Sequence, residues 1–534
     1  MEQNEQDISS ALKELELAEA SGDLRRVMEL SSRVGLLCSR KGANDQALEY
    51  THRALAAAEK AGDRQGLARA YNQLGAIHLE RNANYEAAID AHQTALWTAE
   101  RIGDLEEAAR TYHFIGAVYQ RRGETEQALE YHRRALTVAD KTGDARAVLR
   151  GCREIGGLIL RHADYPGALE IFRKALEVAE TSQDEKEIGW SCLQIGVVLQ
   201  KQADYEQSLV FLQRALGIAE KIADRAETAK VLNQIGIVLQ NRGDYEGSLK
   251  HFERAFGISR EIGDEEGISA GYQNIGIVHQ KRGNYEEALS CAHRALEIRQ
   301  KTRDQYGMLR IYGQIGLLHR LKGAYEQALE YTHRSIEIAE RIGDVAGLAR
   351  GYNQMGTIHQ DRKGNFEAAL VAHQTALEIA ERIGDTAEAA KSYNSMGMVC
   401  QKTGDQDRAL SLHTKALELA ERIGDRPEIA RSYHQIGIVL QSRGENDRAY
   451  EHFRKALDIA EQIGDVAIVA GSICMIGRAK QLKNEYREAF RDYLRSLDIF
   501  SKLGSPNVHV VNTLITELTR QMEAEDLKNL LEEL

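Results

Sequence analysis

The chain has 534 residues, of which 28% are charged, and a formal net charge of −12 at pH 7. This mild excess of acid argues against a surface built to attract nucleic acid or anionic lipid. Only three prolines occur, which fits a chain that is helical almost throughout.

The six cysteines lie far apart and form no C-x-x-C pair. This pattern predicts neither a disulfide framework nor a thiolate metal site. The first residues lack the basic and apolar segments of a signal peptide, and no apolar run is long enough to span a bilayer. We therefore expect a reduced, cytoplasmic protein.

Residues 7–21 form a lone helical pattern, after which one glycine recurs every 40 or 41 residues. A fixed period of this size means that one small supersecondary unit is copied and stacked. We expect an N-terminal capping helix over 1–23, an array of twelve repeats over 24–504, and C-terminal capping helices over 505–534. The twelve anchor glycines are Gly35, Gly75, Gly116, Gly156, Gly196, Gly236, Gly276, Gly316, Gly356, Gly397, Gly437 and Gly477.

Residues 264–304 show how one repeat is built. Gly263 should end one helix in a left-handed turn, and Asp264 should cap the next helix. Apolar residues then recur at spacings of three and four until Gly283 and Asn284 break the helix. Asn284 can cap a second helix with a face of alanines, so each repeat is predicted to be an antiparallel helical hairpin.

Several repeats carry an aspartate followed three residues later by a glutamate. This is the pattern of a capping box, in which each side chain bonds the main-chain N–H of the other residue. We expect such boxes at Asp104–Glu107, Asp184–Glu187, Asp224–Glu227, Asp385–Glu388 and Asp425–Glu428.

After Gly504 apolar residues continue at helical spacing without an anchor glycine. We expect them to cover the exposed end of the array. These residues are Val508, Val511, Leu514, Leu518 and Met522, followed by Leu527, Leu530 and Leu531.

The spacing Tyr272-x-x-Ile275-Gly276-x-x-His279, with Ala288 twelve residues after the glycine, resembles the tetratricopeptide repeat (TPR) over most of the chain. The period of 40 rather than 34 is similar to the longer repeats of kinesin light chain and of Pins-type spindle-orientation adaptors. The resemblance implies an all-α, right-handed superhelical solenoid of about twelve tandem repeats with terminal capping helices. It also implies that the first helices of successive repeats line a concave groove that holds protein or peptide ligands.

Offsets of −6, −2, +1 and +4 from the anchor glycine fall on one face of a helix, which we call the stripe. In the ten repeats from Gly75 to Gly437, eight of the residues at −6 are cations, and amides dominate at −2 and +4. Such a face suits an extended acidic peptide, because arginines pair with carboxylates and amides with the peptide backbone. The candidate groove residues are Arg69, Arg110, Arg150, Trp190, Lys230, Arg310, Arg350, Lys391 and Arg431 at −6, and Gln194, Gln234, Asn274, Gln314 and Gln354 at −2.

The same cations have a second interpretation, in which they pair within the chain. Four of them follow a glutamate at the three-residue spacing of a helical ion pair. A solvated, internally paired stripe therefore stays open beside a ligand groove. The four pairs are Glu107–Arg110, Glu227–Lys230, Glu388–Lys391 and Glu428–Arg431.

Trp190 replaces the cation of the fifth repeat and also has two interpretations. An aromatic side chain in a groove is a typical anchor for a ligand. A tryptophan that packs between adjacent helices is equally ordinary. The sequence does not separate the two.

Two patterns suggest chemistry but lack its context. Gly267-x-Ser269-x-Gly271 spells the G-x-S-x-G motif of hydrolases, yet no strand precedes it. Histidines recur with the period, but copies in adjacent repeats should lie about 8 to 10 Å apart, too far to share one metal ion. We expect them to be packing residues, and we expect no catalytic, metal or cofactor site. These histidines are His78, His279, His319 and His359.

The sequence thus predicts a non-enzymatic interaction scaffold that binds an extended acidic peptide or a partner helix in its groove. Nucleic acid and membrane are not expected as partners, and self-association stays open. The alternative is a regulatory sensor, whose superhelix changes pitch when a peptide binds and so controls an effector on another chain.

Overall fold

The fold is known from a computed structural model. It describes residues 2–82, 84–162, 164–362, 364–503, 505 and 507–522. Across these ranges the chain forms 26 α-helices and no strand. The all-α fold expected from the sequence is therefore confirmed.

The chain divides into two compact units, Met1–Val198 and Leu199–Leu534. The last helix of the first unit runs across this division. The first unit contains α1 (Glu2–Ser21), α2 (Leu24–Arg40), α3 (Asn44–Ala61), α4 (Arg64–Asn82), α5 (Tyr85–Ile102), α6 (Leu105–Arg122), α7 (Thr125–Thr142), α8 (Ala145–Arg161), α9 (Tyr165–Thr181) and α10 (Glu185–Lys201).

The second unit continues the same alternation of helices at the same lengths. It contains α11 (Tyr205–Lys221), α12 (Arg225–Asn241), α13 (Tyr245–Glu261), α14 (Glu265–Lys281), α15 (Tyr285–Lys301), α16 (Gln305–Leu321), α17 (Tyr325–Ile342), α18 (Val345–Asp361), α19 (Phe366–Ile383), α20 (Thr386–Thr403), α21 (Gln406–Ile423), α22 (Arg426–Ser442), α23 (Asn446–Ile463), α24 (Val466–Leu482), α25 (Tyr486–Lys502) and α26 (Asn507–Gln521).

Within each unit, a helix that carries an anchor glycine packs most extensively against the helix that follows it. These pairs run from α2–α3 to α8–α9 in the first unit and from α12–α13 to α24–α25 in the second. The predicted helical hairpin is confirmed in each of them. Successive first helices also touch, as α18 touches α20, so neighbouring hairpins stack.

The anchor glycines let a side chain of the second helix lie against the backbone of the first. A Cβ added at Gly156 would stand 2.4 Å from Cε1 of Phe172, and one at Gly236 would stand 2.5 Å from the same atom of Phe252. Real carbon atoms do not approach this closely. The period of the sequence is therefore the period of this close contact.

The small-residue face predicted for the second helix is present. Ala288, Ala292 and Ala295 are fully buried in α15, where they pack against α14 and α16 residues. Side chains this small allow the helices to approach closely.

The helix-ending and helix-capping residues predicted from the sequence are confirmed only in part. Gly263 has a φ of +69°, so the left-handed turn is confirmed. Asp264 and Asn284 occupy the N-cap positions of α14 and α15, but neither side chain accepts a capping hydrogen bond, so that part of the prediction is wrong.

Each of the five predicted capping boxes makes one of its two expected hydrogen bonds. Each aspartate accepts a hydrogen bond from the main chain of its glutamate, as Asp104 does from Glu107 at 3.0 Å. The return bond has no donor, because the N–H of Asp104 already bonds the carbonyl of Ala99 at 3.0 Å in the preceding turn. The glutamate side chains are therefore free to act elsewhere.

Both ends of the array carry a further helix. Ala11, Leu15 and Ala18 of α1 are buried where α1 packs on α2. At the other end α26 packs on α25 and buries Val511 and Leu514 together with Leu518. Leu527, Leu530 and Leu531 lie outside the described residues, and the boundaries 1–23, 24–504 and 505–534 stay predictions. No described helix is long and apolar enough to cross a membrane.

Candidate functional site

Two of the three stripe cations of the first unit share one buried acid. Nε of Arg69 lies 3.7 Å, and Nη1 of Arg110 2.8 Å, from Oε2 of Glu107. The Glu107 side chain is only 3% exposed, whereas both arginines reach solvent. These two cations therefore have an internal partner, whether or not a ligand also meets them.

Stripe cations of the second unit pair mostly within their own helix. Nζ of Lys230 lies 3.2 Å from Glu227, and Nζ of Lys391 lies 3.6 Å from Glu388. Arg431 pairs with Glu428 in the same way, and Arg350 lies 3.6 Å from Asp344. Pairs whose cation is half-exposed are weak and keep much of the charge available to solvent.

Arg150 and Arg310 differ from the other stripe cations. Both are exposed, and neither has a carboxylate within 4.0 Å among the residues that the structure describes. The internally paired interpretation thus accounts for six of the eight cations and leaves these two as the ones with uncompensated charge.

The buried glutamates beside the stripe belong to the framework of the array. Nδ2 of Asn394 donates to Oε1 of Glu428 at 2.6 Å and to Oγ of Ser432 at 2.7 Å. Nδ1 of His413 donates to Oδ1 of Asn394 at 2.7 Å. Because burial lowers the pKa of His413 to about 4, the ring is neutral and carries this single proton at neutral pH.

The same network recurs twice more, and each copy joins neighbouring repeats. An asparagine three residues before the anchor glycine links a histidine of its own hairpin to a glutamate of the next hairpin. The copies are Asn72 with His92, Glu107 and Thr111, and Asn353 with His373, Glu388 and Ser392.

The amides at −2 are also partly used inside the chain. Nε2 of Gln73 donates to the carbonyl of Ser32 at 3.0 Å, and Nε2 of Gln354 donates to the carbonyl of Gly313 at 2.7 Å. Each bond reaches back to the preceding repeat. Nε2 of Gln314, by contrast, is buried without a hydrogen-bond partner. Gln73 and Gln354 therefore fasten neighbouring repeats together.

The remaining amides at −2 also differ in their hydrogen bonds and burial. Nδ2 of Asn274 donates to Oδ1 of Asn233 in the preceding repeat at 3.3 Å. Gln194 in the first unit and Gln234 in the second are half-buried.

Trp190 has partners of its own within the first unit. The Arg153 guanidinium lies 3.8 Å from the centre of the Trp190 ring, and the same guanidinium donates to Glu187 at 2.8 Å. Phe172 meets the ring edge-on at 5.6 Å. These contacts fit the packing interpretation, and Arg153 covers one face of the ring.

Five of the candidate residues come together in one pocket of the second unit. Asn274, Arg310, Gln314, Arg350 and Gln354 line a cavity of about 600 Å³ that extends over α14, α16 and α18. The other candidates lie in repeats outside this pocket. They are Arg69, Arg110, Arg150, Trp190 and Gln194 in the first unit, and Lys230, Gln234, Lys391 and Arg431 in the second.

A third arginine lines this pocket and was missed by the sequence analysis. Arg320 stands at +4, where most repeats carry glutamine, and that break in the glutamine row was its only signal. Nη1 of Arg320 pairs with Asp361, while its buried Nε has no partner.

All the charged residues that line the pocket are arginines. Arg310, Arg320 and Arg350 line it together with glutamine and asparagine amides, and no carboxylate is among its lining residues. Gly313 and Gly351 also line it, so part of the wall is helix backbone without side chains. This arrangement offers positive charge and amide groups to a ligand that carries carboxylates.

The two discounted patterns prove to be structural parts of the repeats. Ser269 is buried in α14, where its Oγ accepts from Nε of Arg299 at 2.9 Å. His319 stacks on Tyr331 with ring centres 5.4 Å apart. Among the described residues no group of three or more histidines, cysteines or acids could hold a metal ion.

Comparison with known families gives one match. The family model described as Tetratricopeptide repeat matches residues 76–141, 107–181, 188–261, 267–341, 347–422 and 428–502. Together these ranges cover more than half of the chain. No curated protein matches.

Solved structures with similar folds come from several proteins. The apo form of RapI is 21% identical, with 52% of this chain and 99% of that chain covered and a TM-score of 0.44. Aspartyl phosphate phosphatase F from Bacillus subtilis is 16% identical, with 65% and 93% covered and a TM-score of 0.45. Yeast Tom70 is 14% identical, with 86% and 97% covered and a TM-score of 0.43. These likenesses transfer no functional detail to this chain.

Proposed function

Because the chain belongs to the tetratricopeptide repeat family, we propose that it is a protein-interaction scaffold whose second unit binds an extended acidic peptide. The observation that carries this proposal is the pocket over α14, α16 and α18, which has three arginines and no carboxylate among its lining residues. An acidic ligand would gain charge-assisted hydrogen bonds there without meeting repulsion from the pocket wall.

Arg310 is the residue that the proposal depends on most. It is exposed, it lines the pocket, and no described carboxylate lies within ion-pair distance of it. Arg350 is shared with Asp344, and Arg320 with Asp361. A ligand carboxylate therefore competes with nothing at Arg310, whereas at the other two arginines it must compete with an internal acid.

The size of the pocket limits the length of the peptide that it can hold. Packed helices lie about 8 to 10 Å apart, so three adjacent first helices span roughly 16 to 20 Å. An extended chain rises about 3.3 Å per residue. The pocket therefore accommodates about five or six residues.

The proposal assigns no chemistry to the chain itself. Ser269, the one residue with a hydrolase-like sequence context, is buried and bonded to Arg299 inside a helix. A cytoplasmic location and a lack of nucleic-acid binding, both expected from the sequence, stay part of the proposal.

The test is fluorescence anisotropy of a fluorescein-labelled hexaglutamate peptide with the full chain. We expect Arg310→Glu combined with Arg350→Glu to weaken binding at least tenfold, because each change replaces an attraction with a repulsion. Arg310→Glu alone should account for most of the loss.

The matched control is Arg382→Glu, since Arg382 is an exposed arginine of α19 outside the pocket. It makes the same change in charge as Arg310→Glu and should leave the affinity within twofold of the wild type. If Arg310→Glu and Arg382→Glu weaken peptide binding equally, the effect comes from net charge alone and the pocket is rejected as the binding site. Unchanged circular dichroism of all variants excludes unfolding as the cause.

A further inference from the structure

One contact in the second unit joins repeats that are far apart in the sequence. The hydroxyl of Tyr205, at the start of α11, donates to the carbonyl of Ile463, at the end of α23, at 3.1 Å. The two residues are 258 positions apart, so this bond crosses several repeats. In a solenoid each repeat ordinarily touches only its neighbours.

The Tyr205 ring also fits against a residue that has no side chain. A Cβ at Gly464 would stand 3.2 Å from Cε2 of Tyr205. The other left-handed glycines that the structure describes at helix ends have no such neighbour within 4 Å. Gly464 is therefore the one such helix end that accepts a ring from a distant repeat.

A second tyrosine and an acid stand at the same place. Asp465 caps α24 by accepting hydrogen bonds from Ala467 and Ile468. Burial, and then the negative charge of Asp465, raise the pKa of both Tyr205 and Tyr245, so both hydroxyls lie within electrostatic range of this carboxylate. Of the two tyrosines, Tyr205 makes the direct contact with the turn between α23 and α24.

We propose that the contact of Tyr205 with Ile463 and Gly464 is a latch that fixes the curvature of the second unit. A solenoid bends by small rotations distributed over many repeats, and contacts between neighbours resist this bending only weakly. A bond between distant repeats restrains all the rotations between them at once.

The latch also regulates the pocket, a step that rests on the proposed function. The helices α14, α16 and α18 lie between α11 and α23 in the chain, within the segment that the latch closes. Their relative rotation sets the spacing of Arg310 and Arg350. A closed latch therefore holds these arginines ready for a peptide, and an open latch lowers the population of the binding arrangement.

The first measurement does not involve a peptide. Spin labels attached through unnatural amino acids at exposed Gln207 and Gln462 report the distance across the latch in the full chain. We expect a short, narrow distance distribution in the wild type and a longer, broader one in Tyr205→Ala. Tyr205→Phe keeps the ring but loses the hydroxyl, and it should open the latch in part, with about a fivefold shift in the population.

The matched control is Tyr325→Ala, because Tyr325 begins α17 as Tyr205 begins α11. It should leave the distance distribution as in the wild type. If Tyr205→Ala also leaves it unchanged, the latch is rejected, whatever the peptide does.

The second measurement is the affinity for labelled hexaglutamate. We expect Tyr205→Ala to weaken binding threefold or more while Tyr325→Ala does not. If the distance grows in Tyr205→Ala but the affinity stays, the latch does not regulate the pocket. If the wild type does not bind the peptide at all, the proposed function fails, and the distance measurement alone decides the latch.

Discussion

At the scale of single residues, the anchor glycine is explained by what packs on it. In one group of repeats the neighbour is an aromatic or imidazole ring, such as Phe172 at Gly156 or His413 at Gly397. In another group it is a smaller side chain, such as Thr332 at Gly316. The glycine could be found from its period, but its partner could not, because the residue that fills the contact changes from repeat to repeat.

Substitution of Gly156 tests this contact. Gly156→Ala should destabilise the first unit by about 2 kcal/mol, because the new methyl group overlaps the Phe172 ring. Thermal unfolding followed by circular dichroism, with hydrogen exchange of α8 and α9, measures the loss.

The adjacent Gly157 supplies the control on the same helix. A Cβ there would meet only Nη1 of Arg161, at 3.9 Å. Gly157→Ala should therefore be neutral or stabilising by up to about 1 kcal/mol, since alanine favours the helix. A Gly156→Ala variant as stable as Gly157→Ala would show that the ring moves away without cost.

At the scale of helices, the sequence predicted where the helices end better than it predicted the hydrogen bonds that cap those ends. Aspartate at the N-cap was recognised, and so was the glutamate three residues later. What the pattern could not show is that the preceding turn already uses the N–H group of the aspartate. In three of the five cases the glutamate instead holds the asparagine of the preceding repeat, as Glu428 holds Asn394. The glutamate of a local capping pattern thus makes a contact between repeats.

Two aspartates at the N-caps of consecutive repeats allow the effect of the capping hydrogen bond to be measured apart from the effect of the negative charge. Asp224 accepts from the N–H of Glu227 at 3.0 Å, whereas Asp264 makes no capping bond. Asp224→Ala should cost α12 about 1 kcal/mol, and Asp264→Ala should cost α14 no more than a few tenths. Hydrogen exchange of the first turns of α12 and α14 measures both, in 0.5 M NaCl so that the helix dipole is screened. Equal protection losses in the two helices would contradict the assignment.

At the scale of the whole molecule, the fold could be predicted because one period fills most of the chain. The candidate site could be predicted in part, since Arg310, Gln314 and Gln354 were read from the stripe and do line one pocket. The contact of Tyr205 with Ile463 could not be predicted. It joins residues 258 positions apart and depends on the accumulated rotation of every repeat between them, which no local pattern encodes.

Both units also carry buried or half-buried histidines that bear on the stability of the whole chain. Burial lowers the pKa of each of them to about 4, from an ordinary value of 6.5. The first unit contains His92, His113 and His132, and the second contains His373, His413 and His434.

These histidines predict acid sensitivity with a definite sign. Between pH 6.5 and 4 the unfolded chain binds protons that the folded chain excludes, so the free energy of unfolding falls as the pH falls. Each histidine contributes a slope of up to about 1.4 kcal/mol per pH unit in this window, and almost none above pH 7. The urea midpoint measured from pH 7.5 to 4.5 should therefore decline below about pH 6.5.

His132 allows this prediction to be tested at one residue. Both of its ring nitrogens are buried without a partner, and the equivalent place in other hairpins is filled by Phe172, Phe252 and Phe453. His132→Phe should raise stability at neutral pH, because a phenyl ring leaves no unsatisfied polar atom, and it should flatten the acid slope. His509→Phe, at an exposed position of α26, should change neither. An acid slope that is identical in His132→Phe and the wild type would mean that this ring is already protonated, or hydrated, in the folded chain.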